Sequence, residues 1–360
     1  MRVTLKEVAV KADLSVSTAC RALNGHPAIS QKTAERVKKI AGELRYNRVR
    51  DHRRITAVNA ALAGCNIAIA SLAHDQSLVS MPVIANAFRG AEEALLAAGA
   101  NSQRINMPDL SQAPRDLNLD CIHGFILVGA MVNEFAAAAE TEVVNRLRRF
   151  PSVWVIGQPP GAWGDAVVSD DFALGAGAAE QLFAKGHRRL AFLNPMPENL
   201  LFLRREDGFC AAARRLGAEV HFFCQSPARG WRLPLQPPTS NFAAVESLVD
   251  QMLATEPCPT GVFAAADSIA ALAYCAFGMR GIRVGKDISL IAGNNTPELL
   301  AVPYPHLATF DIHARKIGAL AVRQLALHIA EMSSGTHIAH HLVVQPTFVP
   351  GESICNLNTR

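Results

Sequence analysis

With 360 residues, the chain is longer than one hydrophobic core usually serves, so two or three domains are expected. Half its residues are apolar and 18% are charged, which excludes a disordered polyampholyte. The net charge of +4 conceals an asymmetry: residues 1–56 carry 13 Lys and Arg against 5 Asp and Glu, a surplus of +8, while the remainder carries −4.

A basic end on a slightly acidic body suggests contact with a polyanion, although a solvated charged surface gives the same count. The longest apolar stretches, such as residues 122–132, are too short to span a bilayer as a helix. The first residues lack the apolar core of a secretion signal, and the eight cysteines form no Cys-x-x-Cys pair. A cytoplasmic location with reduced thiols and no membrane contact is expected.

Three short helical patterns open the chain. Thr4 and Glu7 form a capping box, in which each side chain reaches the other's free backbone donor. Leu5, Val8, Ala9 and Ala12 then mark one apolar face. Asp13-Leu14 breaks the pattern, and Ser15 is a suitable N-cap for a second helix over 16–23, ending at Asn24-Gly25. Ser30 caps a third, whose buried stripe is Val37, Ile40, Ala41 and Leu44. Two short helices across a tight turn, closed by a third, make a helix-turn-helix. There the second helix enters the major groove, and its early residues face base edges. Arg21 can bond guanine in bidentate fashion, Ser17 suits several bases, and Val16 can touch a thymine methyl. An unrelated three-helix bundle with a basic surface has the same periodicity.

The residues 4–24, TLKEVAVKADLSVSTACRALN, resemble the opening of the LacI/GalR family of bacterial transcriptional regulators, typically TLxDVAxxAGVSxxTVSRxLN. Asp13 stands where the family has the turn glycine, and Asp tolerates left-handed backbone better than most residues. Cys20 replaces a serine that usually helps hold phosphate. The resemblance implies DNA contacts from Thr4, Ser15, Val16, Ser17, Thr18, Arg21 and Asn24. It also implies a hinge that folds when a dimer meets DNA and wedges a leucine into the minor groove. The family's YxPNxxARxL corresponds to YNRVRDHRRI at 46–55: Tyr46 and Arg53 match, Pro-Asn is absent, and Ile55 occupies the leucine position. Leu62, within AVNAALA at 57–63, is the second candidate wedge.

From residue 66 apolar runs alternate with helical stretches: 67–72, 83–98, 124–128, 153–156, 175–185, 190–193, 205–216, 261–265, 269–279 and 289–292. This predicts an α/β core of two doubly wound parallel sheets with a ligand cleft beside the strand ends. Gly175-Ala176-Gly177 lacks the third glycine of a dinucleotide fingerprint and falls in a helix. No Gly-x-Ser-x-Gly, phosphate loop or zinc-type His/Cys spacing occurs, so no cofactor or metal is expected, and the short cluster His337, His340, His341 reads as surface.

The resemblance extends through this region: Pro82 with Phe88-Arg89-Gly90, DAVVSDD at 165–171, GHRRLAFL at 186–193, REDGF at 205–209, FAAAD at 263–267 and IAGNN at 291–295. It implies a headpiece over 1–46, a hinge over 47–65, and a periplasmic-binding-protein-like core over 66–360. Within the core, one subdomain would take about 66–159 plus 311–338 and the other about 160–310 plus 339–360. The implied effector residues are His74, Asp75, Gln158, Arg205, Asp267 and Asn294. Several carboxylates common in sugar-binding members are missing: Gly157-Gln158 stands for Asp-Arg, Ala266-Asp267 for Asn-Asp and Asn294-Asn295 for Asp-Asp. A sugar is one candidate effector. An unpaired Arg205 would favour an anionic or hydroxyl-rich one. The implied protein is a homodimeric repressor that reads a pseudo-palindromic operator and is switched by a small molecule. A solute-binding protein or a sugar-processing enzyme shares the core architecture, but the first would need a secretion signal and the second a set of catalytic residues that no motif supplies.

Overall fold

The computed structural model describes residues 5–23, 29–43, 61–115, 117–225, 233–235, 242–299 and 305–359. The chain divides into two units, Met1–Ala57 and Val58–Arg360.

In the first unit, α1 (Leu5–Lys11), α2 (Val16–Leu23) and α3 (Gln31–Glu43) enclose a small core of Val8, Ala9, Ala12, Ala19, Ala22, Val37 and Ala41. Asp13 makes the turn between α1 and α2 at φ 51°, the left-handed geometry for which a glycine is the usual choice. Ser15 Oγ accepts from Thr18 N at 3.1 Å, and Ser30 Oγ accepts from Thr33 N at 3.2 Å, so each serine satisfies one free donor of the helix it precedes. Arg36 donates to Ala12 O at 2.9 Å and ties α3 to the end of α1.

In the second unit the strands are β1 (Asn66–Leu72), β2 (Asn101–Met107), β3 (Gly124–Gly129), β4 (Ser152–Ile156), β5 (Asp165–Ser169), β6 (Arg189–Asn194), β7 (Glu219–Cys224), β8 (Gly261–Ala264), β9 (Ser289–Asn294), β10 (Ala308–Asp311), β11 (His341–Val344) and β12 (Thr347–Val349). They form two six-stranded sheets, ordered β2-β1-β3-β4-β5-β11 and β7-β6-β8-β9-β10-β12. Pairing is parallel throughout except between β10 and β12. The order is the same in both halves, with a topological switch between the first and third strands of each. Central strands such as β3, β4 and β8 are buried along their whole length, as parallel strands covered on both faces must be. The edge strands β2 and β7 are largely polar or exposed.

The halves do not divide at residue 159/160 as the sequence suggests. β5 pairs with β4, and β11 pairs with β5, so residues 165–169 and 341–344 complete the first sheet. The chain therefore crosses between halves three times: after β5, after β10 and after β11.

Two helix pairs pack unusually closely, and glycine is the cause. In the first half, α4 (Pro82–Ala97) lies on a later helix, Ala314–Ser334. In the second, α5 (Asp171–Ala184) lies on α6 (Leu200–Leu216). A Cβ on Gly175 would sit 1.9 Å from Arg205 O, and one on Gly208 would sit 2.0 Å from Phe172 O. Gly90 and Gly318 relate to Arg315 O and Ala87 O in the same reciprocal way. Gly177 meets the Phe310 ring, so the Gly-Ala-Gly run is a packing device for a helix.

Leu62 is fully buried in the core of the second unit, against the expectation that it wedges into DNA. An intercalating side chain must be free to leave the protein, and extracting this one would open the core. Arg53 and Ile55 lie outside the described residues, as does the hinge up to residue 60. No described helix is long and apolar enough to cross a membrane.

Candidate functional site

The carboxyl ends of both sheets converge on a cleft of about 100 Å³. The first half supplies His74 after β1, Gly129 and Met131 around the end of β3, and Ile156 and Gly157 at the end of β4. The second half supplies Met196 after β6, Leu201, Phe202 and Arg205 on α6, Ala266 and Ser268 after β8, and Asn294 ending β9. Two connections close it. Leu235 lies beside the end of β1, donating to Ala73 O at 2.8 Å and accepting from Asp75 N at 2.9 Å. Leu200 N donates to Met131 O at 2.8 Å.

Three strand ends here adopt backbone that non-glycine residues avoid: Ala73 at φ 58°, Ile156 at φ 70° and Asn294 at φ 118°. For the β-branched Ile156 this is a marked outlier. Such conformations cost on the order of 1–3 kcal/mol each, persist only where surrounding structure enforces them, and cluster at ligand clamps.

Arg205 is almost wholly buried and is the polar centre of the cleft. Its Nε donates to Asp171 Oδ1 at 2.8 Å, Nη1 to Ala265 O at 2.6 Å, and Nη2 to Asn294 Oδ1 at 2.8 Å. Burial drives the Asp171 carboxyl up from its ordinary value, and the Arg205 charge opposes that rise. Arg205 is therefore not the unpaired cation that would select an anion. His74 bonds Ser71 Oγ through Nδ1 at 2.9 Å. Burial lowers its pKa to about 4, against the pull of a hydrogen bond to the Gly129 backbone, so the ring is neutral at neutral pH.

Of the effector residues expected from sequence, His74, Arg205 and Asn294 meet in the cleft. The other three are committed elsewhere. Asp75 is outside the lining and uses Oδ1 to cap the turn at Ser77, accepting from Ser77 N at 2.9 Å. Gln158 Nε2 is turned to Trp163 O and Gly164 O, at 3.4 and 3.3 Å. Asp267 is buried behind the cleft, accepting from Thr309 Oγ1 at 2.6 Å and from Thr296 N and Oγ1. Burial pushes its carboxyl up to about 6, despite these hydrogen bonds. Sequence reasoning missed the apolar lining, Met131, Met196, Leu201, Phe202 and Leu235, because no motif marks such residues.

In the first unit, Val16 at the start of α2 is 46% exposed, as a base-reading position requires. Ser15 Oγ and Thr18 Oγ1 share a 2.8 Å hydrogen bond beside it. Ser17 and Arg21 fall on α2, with side chains outside the described set; Thr4 and Asn24 lie outside the described residues altogether.

Comparison with known proteins fits this arrangement. Residues 4–48 match the family model "Bacterial regulatory proteins, lacI family", and residues 179–354 match "Periplasmic binding protein-like domain". The HTH-type transcriptional regulator GntR of Pseudomonas aeruginosa is 28% identical over 334 residues, covering 91% of this chain and 90% of its own. The solved complex of the transcriptional regulator CelR with cellobiose superposes with a TM-score of 0.62 at 20% identity, over 98% of this chain and 100% of that one. The lac repressor dimer bound to operator and the anti-inducer ONPF gives 0.61 at 18% identity, over 99% and 100%.

Proposed function

This chain belongs to the lacI family of bacterial regulatory proteins, and from that premise we propose that it is a homodimeric transcriptional repressor whose grip on a pseudo-palindromic operator is set by a small molecule in the core cleft. The observation that carries the reading is the joining, in one chain, of a helix-turn-helix unit matching the family over 4–48 to a two-sheet core whose strand ends enclose a cleft. Residues around the start of α2 read bases: Val16 by apolar contact, Ser17 and Arg21 by hydrogen bonds, with Ser15 and Thr18 toward the backbone. Thr4, Asn24 and Arg53 add backbone contacts, and Ile55 is the remaining candidate for the minor-groove wedge.

The effector is uncharged. Arg205 is balanced by Asp171, and His74 is neutral, so the cleft offers no net charge to an ion. Three guanidinium N–H groups are used by protein acceptors, and the two others of the fork are available to a hydroxyl. Phe202 and the methionines Met81, Met131 and Met196 supply an apolar wall. A sugar, such as the cellobiose of the CelR complex, presents both faces that such a site demands. The ligand must fit one relative orientation of the two sheets better than another, or it shifts nothing.

The test is selection from random duplexes followed by gel-shift titration at two salt concentrations, with wild type beside Arg21→Ala. Recovery of a pseudo-palindrome, with preference relaxed at one symmetric base pair in the variant, supports the reading. Weak, unselective binding abolished by modest salt would reduce the headpiece to a generic polyanion patch.

A further inference from the structure

The effector cleft is small, and one residue limits it. Leu235, from the connection between β7 and the helix Phe242–Leu253, is 3% exposed and lines the cleft. Its backbone holds it there. The N–H donates to Ala73 O at 2.8 Å and the carbonyl accepts from Asp75 N at 2.9 Å, so Leu235 forms a parallel bridge with His74 beyond the end of β1. A segment of the second half is thereby fastened to the first sheet, independently of what its side chain is.

With Leu235 in place the cleft measures about 100 Å³. A bound water needs about 10–15 Å³ of such space, so the cleft takes about 7–10 atoms other than hydrogen. A pentose has ten, a hexose twelve and a disaccharide more than twenty.

We infer that the effector is an aldopentose bound as its pyranose ring, and that Leu235 is the specificity-determining residue that turns hexoses away. The inference deepens the reading of the cleft as an effector site and rests on it.

The chemistry of the rim agrees with the volume. In an aldopentopyranose every carbon except C5 carries a hydroxyl, so the C5 methylene is the one ring carbon that asks for no hydrogen bond. A buried leucine, which offers none, is a fitting neighbour for that carbon alone. In the hexose of the same ring stereochemistry C5 bears a hydroxymethyl group. Its carbon needs the space that Leu235 fills, and its oxygen would be buried against an apolar side chain without a partner. The hydroxyls on the other carbons have the two unused N–H groups of Arg205, with Asn294 and His74 in the same lining. Phe202 offers a ring to the C–H face of the sugar.

The experiment is calorimetric titration of the full-length protein, without DNA. The probes are D-ribose, D-xylose, L-arabinose and D-lyxose, each beside the 6-deoxyhexose and the hexose of the same ring stereochemistry, and cellobiose. One misfitting methylene in an apolar pocket changes affinity about 10–200-fold, so wild type should bind one pentose at least about 10-fold tighter than its two larger counterparts. Leu235→Ala removes three carbons and keeps the backbone bridge. It should raise the affinity for the 6-deoxyhexose, whose added methyl is apolar, at least about 10-fold relative to the pentose, and that for the hexose by less. Leu235→Met, of similar volume, should keep the wild-type ranking. Circular dichroism confirms that the variants are folded; should Leu235→Ala fail to fold, Leu235→Val must move the same ratio in the same direction. No binding of any pentose, a wild type that prefers a hexose or cellobiose, or a ratio unchanged in the folded variants overturns the inference. A pentose that binds with this ranking yet leaves operator affinity unchanged would support the size limit and overturn the effector reading instead.

Discussion

Arg205 and Asp171 form an ion pair, Nε to Oδ1 at 2.8 Å, from which water is almost wholly excluded. The pair joins α6 to the first turn of α5, beside the glycine contacts that bring those two helices together. Transferring both charges from water is costly, so the pair stabilises the fold only while both members are present. Arg205→Met should destabilise the protein by about 3–5 kcal/mol in urea unfolding, because Asp171 is left buried and unpaired. Adding Asp171→Leu should restore most of that loss while leaving the effector response abolished. A double variant as unstable as the single one would show that the guanidinium acts through Ala265 O and Asn294 instead.

The pH dependence of stability should reveal two opposed groups. His74 titrates near 4 in the folded chain and 6.5 in the unfolded one. Its contribution is complete above 6.5 and lost as pH falls toward 4, by about 3 kcal/mol. Asp267 runs the other way. With a folded value of about 6 against 3.8, its contribution is complete below 3.8 and lost, by about 3 kcal/mol, as pH rises through 6. Between 4 and 6 the two nearly cancel. His74→Gln should expose the Asp267 slope, gaining about 1.4 kcal/mol relative to wild type for each unit of acidification from 6.5 to 4. Parallel curves for variant and wild type would show that His74 is solvated.

Gly175→Ala should be far more harmful than its size suggests, since the new methyl would meet the Arg205 carbonyl at 1.9 Å. Backbone cannot yield as a side chain can, and a loss above about 3 kcal/mol is expected. Gly278→Ala provides the contrast. It lies in the helix Asp267–Met279 with nothing within 4 Å of the added carbon, and should stabilise by about 0.5–1 kcal/mol. Thermal melting of both variants distinguishes packing from helix propensity.

Leu62→Ala should cost about 2–5 kcal/mol in unfolding, the usual price of a cavity at a fully buried position. At a temperature where the variant is folded, its operator affinity should equal that of wild type. A loss of affinity without a loss of stability would return Leu62 to the minor groove.

The alternation of apolar runs and helical stretches was enough to anticipate two parallel sheets, because buried parallel strands are nearly continuous in Val, Ile, Leu and Phe. Strands at the sheet edges were not legible: β2 reads NSQRINM, with exposed side chains over its first half and no apolar signature. Site residues were legible only where one side chain decides the matter. Arg205 and Asn294 meet in the cleft. Asp75, Gln158 and Asp267 were drawn off by Ser77, the backbone near Trp163, and Thr296 with Thr309, partners that sequence spacing does not reveal.

The two short strands β11 and β12 are consecutive in the chain, yet each completes a different sheet. During vectorial synthesis the first half therefore waits, from the emergence of β5 until that of β11, with β5 unprotected at its edge. The second half likewise lacks the antiparallel strand that covers β10. A nascent chain halted before residue 340 would present two open parallel edges, each able to capture a foreign strand. The segment 341–349 thus supplies the outermost strand of both sheets.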